Sequence, residues 1–207
     1  MRAVSLCAAV VLLASTLIAA AQQPSRPRPP APPAPRSTPS AAPAREAAVP
    51  FSVGETLTYD VGWSSYLVAG SATSRVVEKR PSRTSSAYYI VAEGRPLPII
   101  ARIYALYYKM DSLIDSYTTL SQRTSLYTEE GTRKRSAITT FDRTARRAQF
   151  TVQSEPASEF PIPANVQDGL ATLYALRSRA FKTGDRISVP VADEGMLYTV
   201  TFEVGAP

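Results

Sequence analysis

The sequence predicts a mainly β domain, a curved antiparallel sheet (an open barrel or roll) with one packed α-helix. Three observations carry that expectation. From Phe51 onward the apolar residues recur with period two in run after run. The readable connections between runs are short and rich in turn residues, and only Asn165 to Phe181 sustains a helical spacing. Strands that outnumber helices by about nine to one or two, joined by short links, fold most simply as a curling meander with a helix over one face or the open end.

Each element follows from its local pattern. Leu57, Tyr59, Val61 and Trp63 fall on one face of a strand, with Thr56, Thr58, Asp60 and Gly62 on the other. Tyr66 to Val77 reads as its hairpin partner across Ser64-Ser65. Pro81 to Ser85 is turn-like, Tyr88 to Glu93 is a third strand, and Arg95-Pro96-Leu97-Pro98 breaks the chain. The next stretch is read as a helical turn over Ala101 to Ala105, then a strand through Tyr117. Glu129-Glu130-Gly131 separates the strands Arg123 to Tyr127 and Arg133 to Phe141, and Asp142-Arg143-Thr144 leads into Ala145 to Val152. Asn165 is the expected N-cap of the helix, with Asp168 at its third position and Leu170, Leu173, Tyr174, Arg177 and Phe181 along one stripe. A last hairpin pairs Ile187, Val189 and Val191 with Tyr198, Val200, Phe202 and Val204 across Asp193-Glu194-Gly195.

Residues 1–21 read as a secretory signal. Arg2 is the positive end, Ala3 to Ile18 the apolar run, and Ala19-Ala20-Ala21 the small-residue site that is cut before Gln22. Ser5, Ser15 and Thr16 weaken the competing assignment, an uncleaved anchor, so no transmembrane segment is expected after cleavage and the location is periplasmic or secreted. Residues 22–50 read as a proline-rich spacer, because Pro24 to Pro50 holds ten of the 18 prolines and no large apolar residue before Val49. Residues 51–207 form the β-rich domain, expected to be truncated at its C-terminus because a strongly alternating strand runs almost to Pro207.

Composition removes several function classes. From Val49 onward 18 basic residues face 16 acidic ones, so the domain lacks the basic footprint of a nucleic-acid binder. Histidine is absent and the single cysteine, Cys7, lies in the signal. The usual general base, the usual metal ligands and a thiolate nucleophile are therefore missing, and the sequence calls for no cofactor, no metal and no assigned catalytic residue.

Gly54 to Trp63 with Ala69-Gly70, and Gln167-Asp168-Gly169-Leu170-Ala171-Thr172-Leu173-Tyr174-Ala175-Leu176-Arg177, resemble the opening strand pair and central helix of a bacterial exported family, domain of unknown function 3108. Lys109 to Asp115 is similar to that family's mid-domain strand carrying an aspartate. The resemblance spans Phe51 to Val204 and implies an exported address more than an activity. Ala171-Thr172 stands where the family pattern has a serine.

The residues expected to contact a ligand are Tyr59, Trp63, Tyr104, Tyr108 and Arg177, since Tyr and Trp combine apolar area with a polar tip. For Tyr59 and Trp63 core packing is the favoured assignment over ligand contact. Arg177 lies on the helix's apolar stripe and is expected to be substantially buried against a carboxylate from the Asp111 to Asp115 strand. Arg133-Lys134-Arg135 with Arg143, Arg146 and Arg147 read as a solvated basic face. The favoured function is a non-enzymatic envelope module that binds a lipid, glycan or partner protein. The alternative is a periplasmic hydrolase using two of Glu55, Asp111, Asp115 and Asp168.

Overall fold

The computed structural model describes residues 45–64, 67–82 and 85–206, without the side chains of residues 63, 64 and 67. The expected signal, most of the spacer and the Trp63 side chain lie outside the described residues.

Eight strands form one open antiparallel sheet in strict chain order. They are β1 (Thr56–Ser64), β2 (Leu67–Ser82), β3 (Ser85–Pro96), β4 (Leu106–Asp115), β5 (Ser121–Glu130), β6 (Arg133–Asp142), β7 (Arg147–Val152) and β8 (Glu155–Pro161). A one-turn helix α1 (Pro98–Ala101) links β3 to β4, and α2 (Gly169–Arg177) follows β8. The hairpin β9 (Arg186–Asp193) and β10 (Met196–Glu203) forms a second, two-stranded sheet. The mainly β architecture with a packed helix is the one that the alternation predicts.

Directly opposed residues of an antiparallel ladder point to the same face, so the register defines rows that cross the sheet. One row runs Val76, Ile90, Ser112, Thr124, Thr139 and Phe150 from β2 to β7. Every member is buried. Over the first half of this face α2 contributes Leu170, Ala171 and Tyr174, which pack with Val76, Ile90, Ile114 and Phe51. Phe51 meets the Tyr174 ring edge-on at 4.9 Å between centroids. Over the second half Ala192 of β9 packs with Val166, Phe141, Ala148 and Ile162. The core is thus one face of the meander, roofed by α2 on one side and by the β9–β10 hairpin on the other.

The helix differs from expectation at both ends. Its N-cap is Asp168, not Asn165, because the backbone of Gln167 is tied to β9: Gln167 N–H donates to the Pro190 carbonyl at 3.1 Å and Ala192 N–H to the Gln167 carbonyl at 2.8 Å. A chain paired in that way cannot turn helical until the next residue. The helix stops at Arg177, and Phe181 lies beyond it.

Strand β8 escaped the periodicity because Pro156 and Pro161 interrupt it and most of it is exposed. An edge strand tolerates both. Helical geometry between β3 and β4 is confined to Pro98–Ala101, earlier than the expected turn, since Pro98 is preset for the first helical position.

Candidate functional site

Two rows away from the buried one, the same face changes character. The row Tyr59, Ala72, Gly94 and Tyr108 crosses β1 to β4, with Val61, Gly70 and Pro96 forming the next. At strand geometry this lies about 13 Å along the sheet from the buried row. A groove of about 520 Å³ opens here. Gly70, Ala72 and Gly94 make its floor, since side chains this small leave the sheet bare. Val61, Ile100, Tyr104, Leu106 and Tyr108 make its walls. Arg95 is the one charged residue of the lining.

The floor is built differently at its two glycines. A Cβ on Gly70 would come within 2.5 Å of the Arg95 carbonyl oxygen, so the approach of β2 to β3 excludes any side chain there. A Cβ on Gly94 would make only ordinary contacts, 3.8 Å to Tyr108 Cβ and 4.0 Å to Ala72 Cβ. Gly94 is empty by composition, Gly70 by necessity.

Of the sequence-predicted ligand residues, Tyr104 and Tyr108 line this groove. Tyr59 shares its row and is exposed, not packed in the core as expected, because on the edge strand β1 this row lies beyond the part of the face that α2 covers. Tyr107 points to the opposite face, its ring 4.6 Å from the Arg95 guanidinium carbon and packed edge-on against Tyr127. The small floor residues were missed by sequence reasoning. Their available signal was glycine and alanine at period two inside a strand, Gly70 and Ala72, which marks a close approach or a bare surface.

Arg177 does not reach the Asp111 to Asp115 strand. It donates from Nη1 and Nη2 to the two carboxylate oxygens of Glu55, at 2.6 and 3.0 Å. The expected partners are engaged elsewhere: Asp111 accepts from Ser125, and Asp115 accepts from the Tyr117 and Thr118 amides. Glu55 immediately precedes β1, where the end of α2 meets the sheet, and neither position revealed this in the sequence. The hydrogen bond from Arg177 holds the Glu55 carboxyl below its usual range. Both side chains remain partly wet, 30% and 21% exposed. A double-mutant cycle of Arg177→Ala and Glu55→Ala, read by urea unfolding, is therefore expected to give a coupling of about 1 kcal/mol. The coupling is present above the unfolded carboxylate range and is lost as pH falls through the depressed Glu55 value. A cycle that closes to zero at neutral pH would show that the pair does not fasten the helix.

Asp168 lies at the centre of a buried polar cluster. Its Oδ1 accepts from the Ala171 amide at 2.9 Å and its Oδ2 from Ser112 Oγ at 2.6 Å. Its own amide donates to Ser121 Oγ at 2.8 Å, and Gln167 Oε1 accepts from the amide and hydroxyl of Ser121. Burial pushes the Asp168 carboxyl up, against the pull of these donors. Arg143 approaches from the β6–β7 turn and donates to the carbonyls of Val166 and Ser121. Burial lowers its guanidinium to about 10, which leaves it charged at neutral pH. Thr172 donates to the Asp168 carbonyl within its own helix.

The basic residues of the adjoining hairpins disperse into pairs, Arg135 with Glu194, Lys134 with Glu129 and Arg147 with Glu159. Among the described residues no His/Cys/Asp/Glu cluster is arranged to hold a metal ion, and no helix is long and apolar enough to cross a membrane.

No curated protein and no solved structure matches this chain. A family model described as "Protein of unknown function (DUF3108)" matches residues 58–205, from within β1 to beyond β10. That span takes in the groove, helix α2 and the final hairpin, and the chain belongs to the DUF3108 family.

Proposed function

We propose that this domain is a non-enzymatic binding module of the cell envelope, exported by its signal and carried on its proline-rich spacer, which takes the acyl chain of a lipid in the groove. The observation that carries the reading is the groove's construction. A floor of Gly70, Ala72 and Gly94 under walls of Val61, Ile100, Tyr104, Leu106 and Tyr108 offers an elongated apolar ligand contact along its length. Its volume falls within the range of small-molecule sites. A glycan would leave most of its hydroxyls without partners on such a surface, and an unpartnered hydroxyl is costly. Binding is favoured over hydrolysis by paired carboxylates because each acid considered has a separate structural contact. Asp168 caps α2 from inside the core, Glu55 holds Arg177, Asp111 accepts from Ser125, and Asp115 organises the turn after β4.

The test is a chain-length series of fatty acids titrated into delipidated protein. Each buried methylene contributes about 0.8 kcal/mol, so affinity is expected to rise roughly fourfold per carbon until the groove is full, then level off. Gly94→Leu, whose side chain enters the groove from a permissive position, is expected to weaken binding at least tenfold (about 1.4 kcal/mol) while leaving the unfolding transition in place. Saturable binding without chain-length dependence, or binding indifferent to Gly94→Leu, would remove the groove as the site.

A further inference from the structure

The link between β3 and β4 exposes apolar surface that no internal packing explains. Ile99 is 71% exposed and Ile103 is 87% exposed, on and just after the single turn of α1, with Tyr104 and Leu106 exposed beside them. Beside this link, on the β1–β2 hairpin, Val61 and Val68 are exposed as well. The two segments are joined where the Leu97 amide donates to the Ala69 carbonyl at 2.9 Å. Isolated exposed isoleucines are ordinary, but a contiguous apolar rim of this kind marks a surface that meets another phase or partner.

The charges select which. From Gly94 to Tyr108 the only ionisable side chains other than tyrosine are Arg95 and Arg102, and the acids that the sheet sets beside the link, Glu129 and Glu130 of β5, stand opposite Lys134 and Arg133 of β6. We infer that this rim, centred on Ile99 and Ile103, is a membrane-docking wedge that enters the headgroup region of an anionic bilayer.

Isoleucine supplies the inserted area, and Tyr104 has the amphipathic ring suited to the interface. Arg102, exposed between Ile99 and Ile103, answers the lipid phosphates, a contribution that grows with the anionic content of the surface, whereas Arg95 is held over the Tyr107 ring on the other face. Residues Ile100 and Tyr104 of the link, with Leu106 at the start of β4, also form the groove wall, so the groove opens beside the surface that would meet lipid. Docking does not require the groove to be filled, and it is tested separately from the acyl-chain reading.

The experiment is flotation of the full chain with vesicles of phosphatidylcholine containing about one third phosphatidylglycerol, beside vesicles of phosphatidylcholine alone. Wild type is expected to float with the anionic vesicles. The double variant Ile99→Asp/Ile103→Asp, whose positions are too exposed to affect folding, is expected to bind at least tenfold more weakly. Gly94→Leu is expected to float like wild type even though it loses fatty-acid binding, which separates failure of the wedge from failure of the groove. Because the N-terminal segment is common to all variants, insertion is also read locally. Over the Trp63 background, Ile103→Trp is expected to be quenched by lipids brominated in their acyl chains, and Gln149→Trp on the exposed face of β7 is not. Undiminished flotation of the double variant together with an unquenched Ile103→Trp would overturn the inference. Light scattering that shows a wild-type dimer dissociated by the double variant, without flotation, would overturn it in favour of a second copy of the chain.

Discussion

Asp168→Ala is expected to destabilise the domain by about 3 to 5 kcal/mol in urea unfolding at neutral pH. Loss of the N-cap alone costs about 1 kcal/mol. The larger part comes from what the carboxylate leaves behind. Ser112 Oγ–H and the Ala171 N–H both point at Asp168 inside the core, and each buried donor without an acceptor costs roughly 1 to 3 kcal/mol. Arg143, half-buried beside the cluster, loses a compensating negative charge as well. Asp168→Asn retains an acceptor and is expected to cost less, about 1 to 2 kcal/mol, because its amide nitrogen then replaces one accepting oxygen. An Ala variant as stable as wild type would mean that the cluster is filler and not the joint between helix and sheet.

The pH dependence of this site has an unusual sign. Burial raises the folded Asp168 carboxyl above its ordinary value, so the folded state holds the proton more tightly than the unfolded one. Between the unfolded carboxylate range and the raised folded value, wild-type stability falls as pH rises. Glu55 behaves oppositely, since its lowered value makes its contribution fade as pH falls. Asp168→Asn does not titrate at this position. The gap between wild type and Asp168→Asn is therefore expected to be widest at the acid end of the window and to narrow as pH rises through it. A gap that widens with pH would show that the hydrogen bonds from Ser112 and Ala171 outweigh burial.

What was legible in the sequence was what local periodicity encodes. Leu57, Tyr59 and Val61 alternate because they share the face of β1 that borders the groove, where Tyr59 and Val61 stay exposed, and Glu129-Glu130-Gly131 marks a turn because Gly131 adopts a positive φ of 60°. The helix was visible from Leu170, Tyr174 and Arg177, but its start was not. Asn165 is as good a cap chemically as Asp168, and what separates them is the bridge from Gln167 to Val191, a contact made across the fold. The partner of Arg177 was illegible for the same reason. A charge on an apolar stripe predicts a carboxylate, but Glu55 is 122 residues away in sequence and stands at the mouth of β1 by virtue of the sheet's registry.

Tyr104 and Tyr108 could be named as ligand residues from their chemistry, whereas the groove they line is defined by side chains that are not there. Gly70, Ala72 and Gly94 come from two strands and lie close together only because Ala72 is paired with Gly94 and Gly70 with Pro96. An absence of side chains becomes a site only when the register stacks one absence beside another.

That distinction between the two glycines sets the second large effect. Gly70→Ala is expected to cost about 2 to 3 kcal/mol, the upper part of the range for overpacking, because the added methyl meets the Arg95 carbonyl and the adjoining Pro96 backbone instead of a movable side chain. Relief requires β2 and β3 to separate at their ends, which also loosens the hydrogen bond from the Leu97 amide to the Ala69 carbonyl that anchors α1. Gly94→Ala, one row nearer the buried core, meets Tyr108 and Ala72 at ordinary distances and has no positive φ to strain. It is expected to be neutral or to stabilise by a few tenths to about 1 kcal/mol, since alanine loses less conformational freedom than glycine on entering a strand. Thermal unfolding of the two single variants side by side is the measurement. If both lower the midpoint alike, the close approach at Gly70 is not what sets the floor of the groove; if only Gly70→Ala does, the junction of β2 and β3 is the fixed point on which the groove and the exposed link between β3 and β4 are both built.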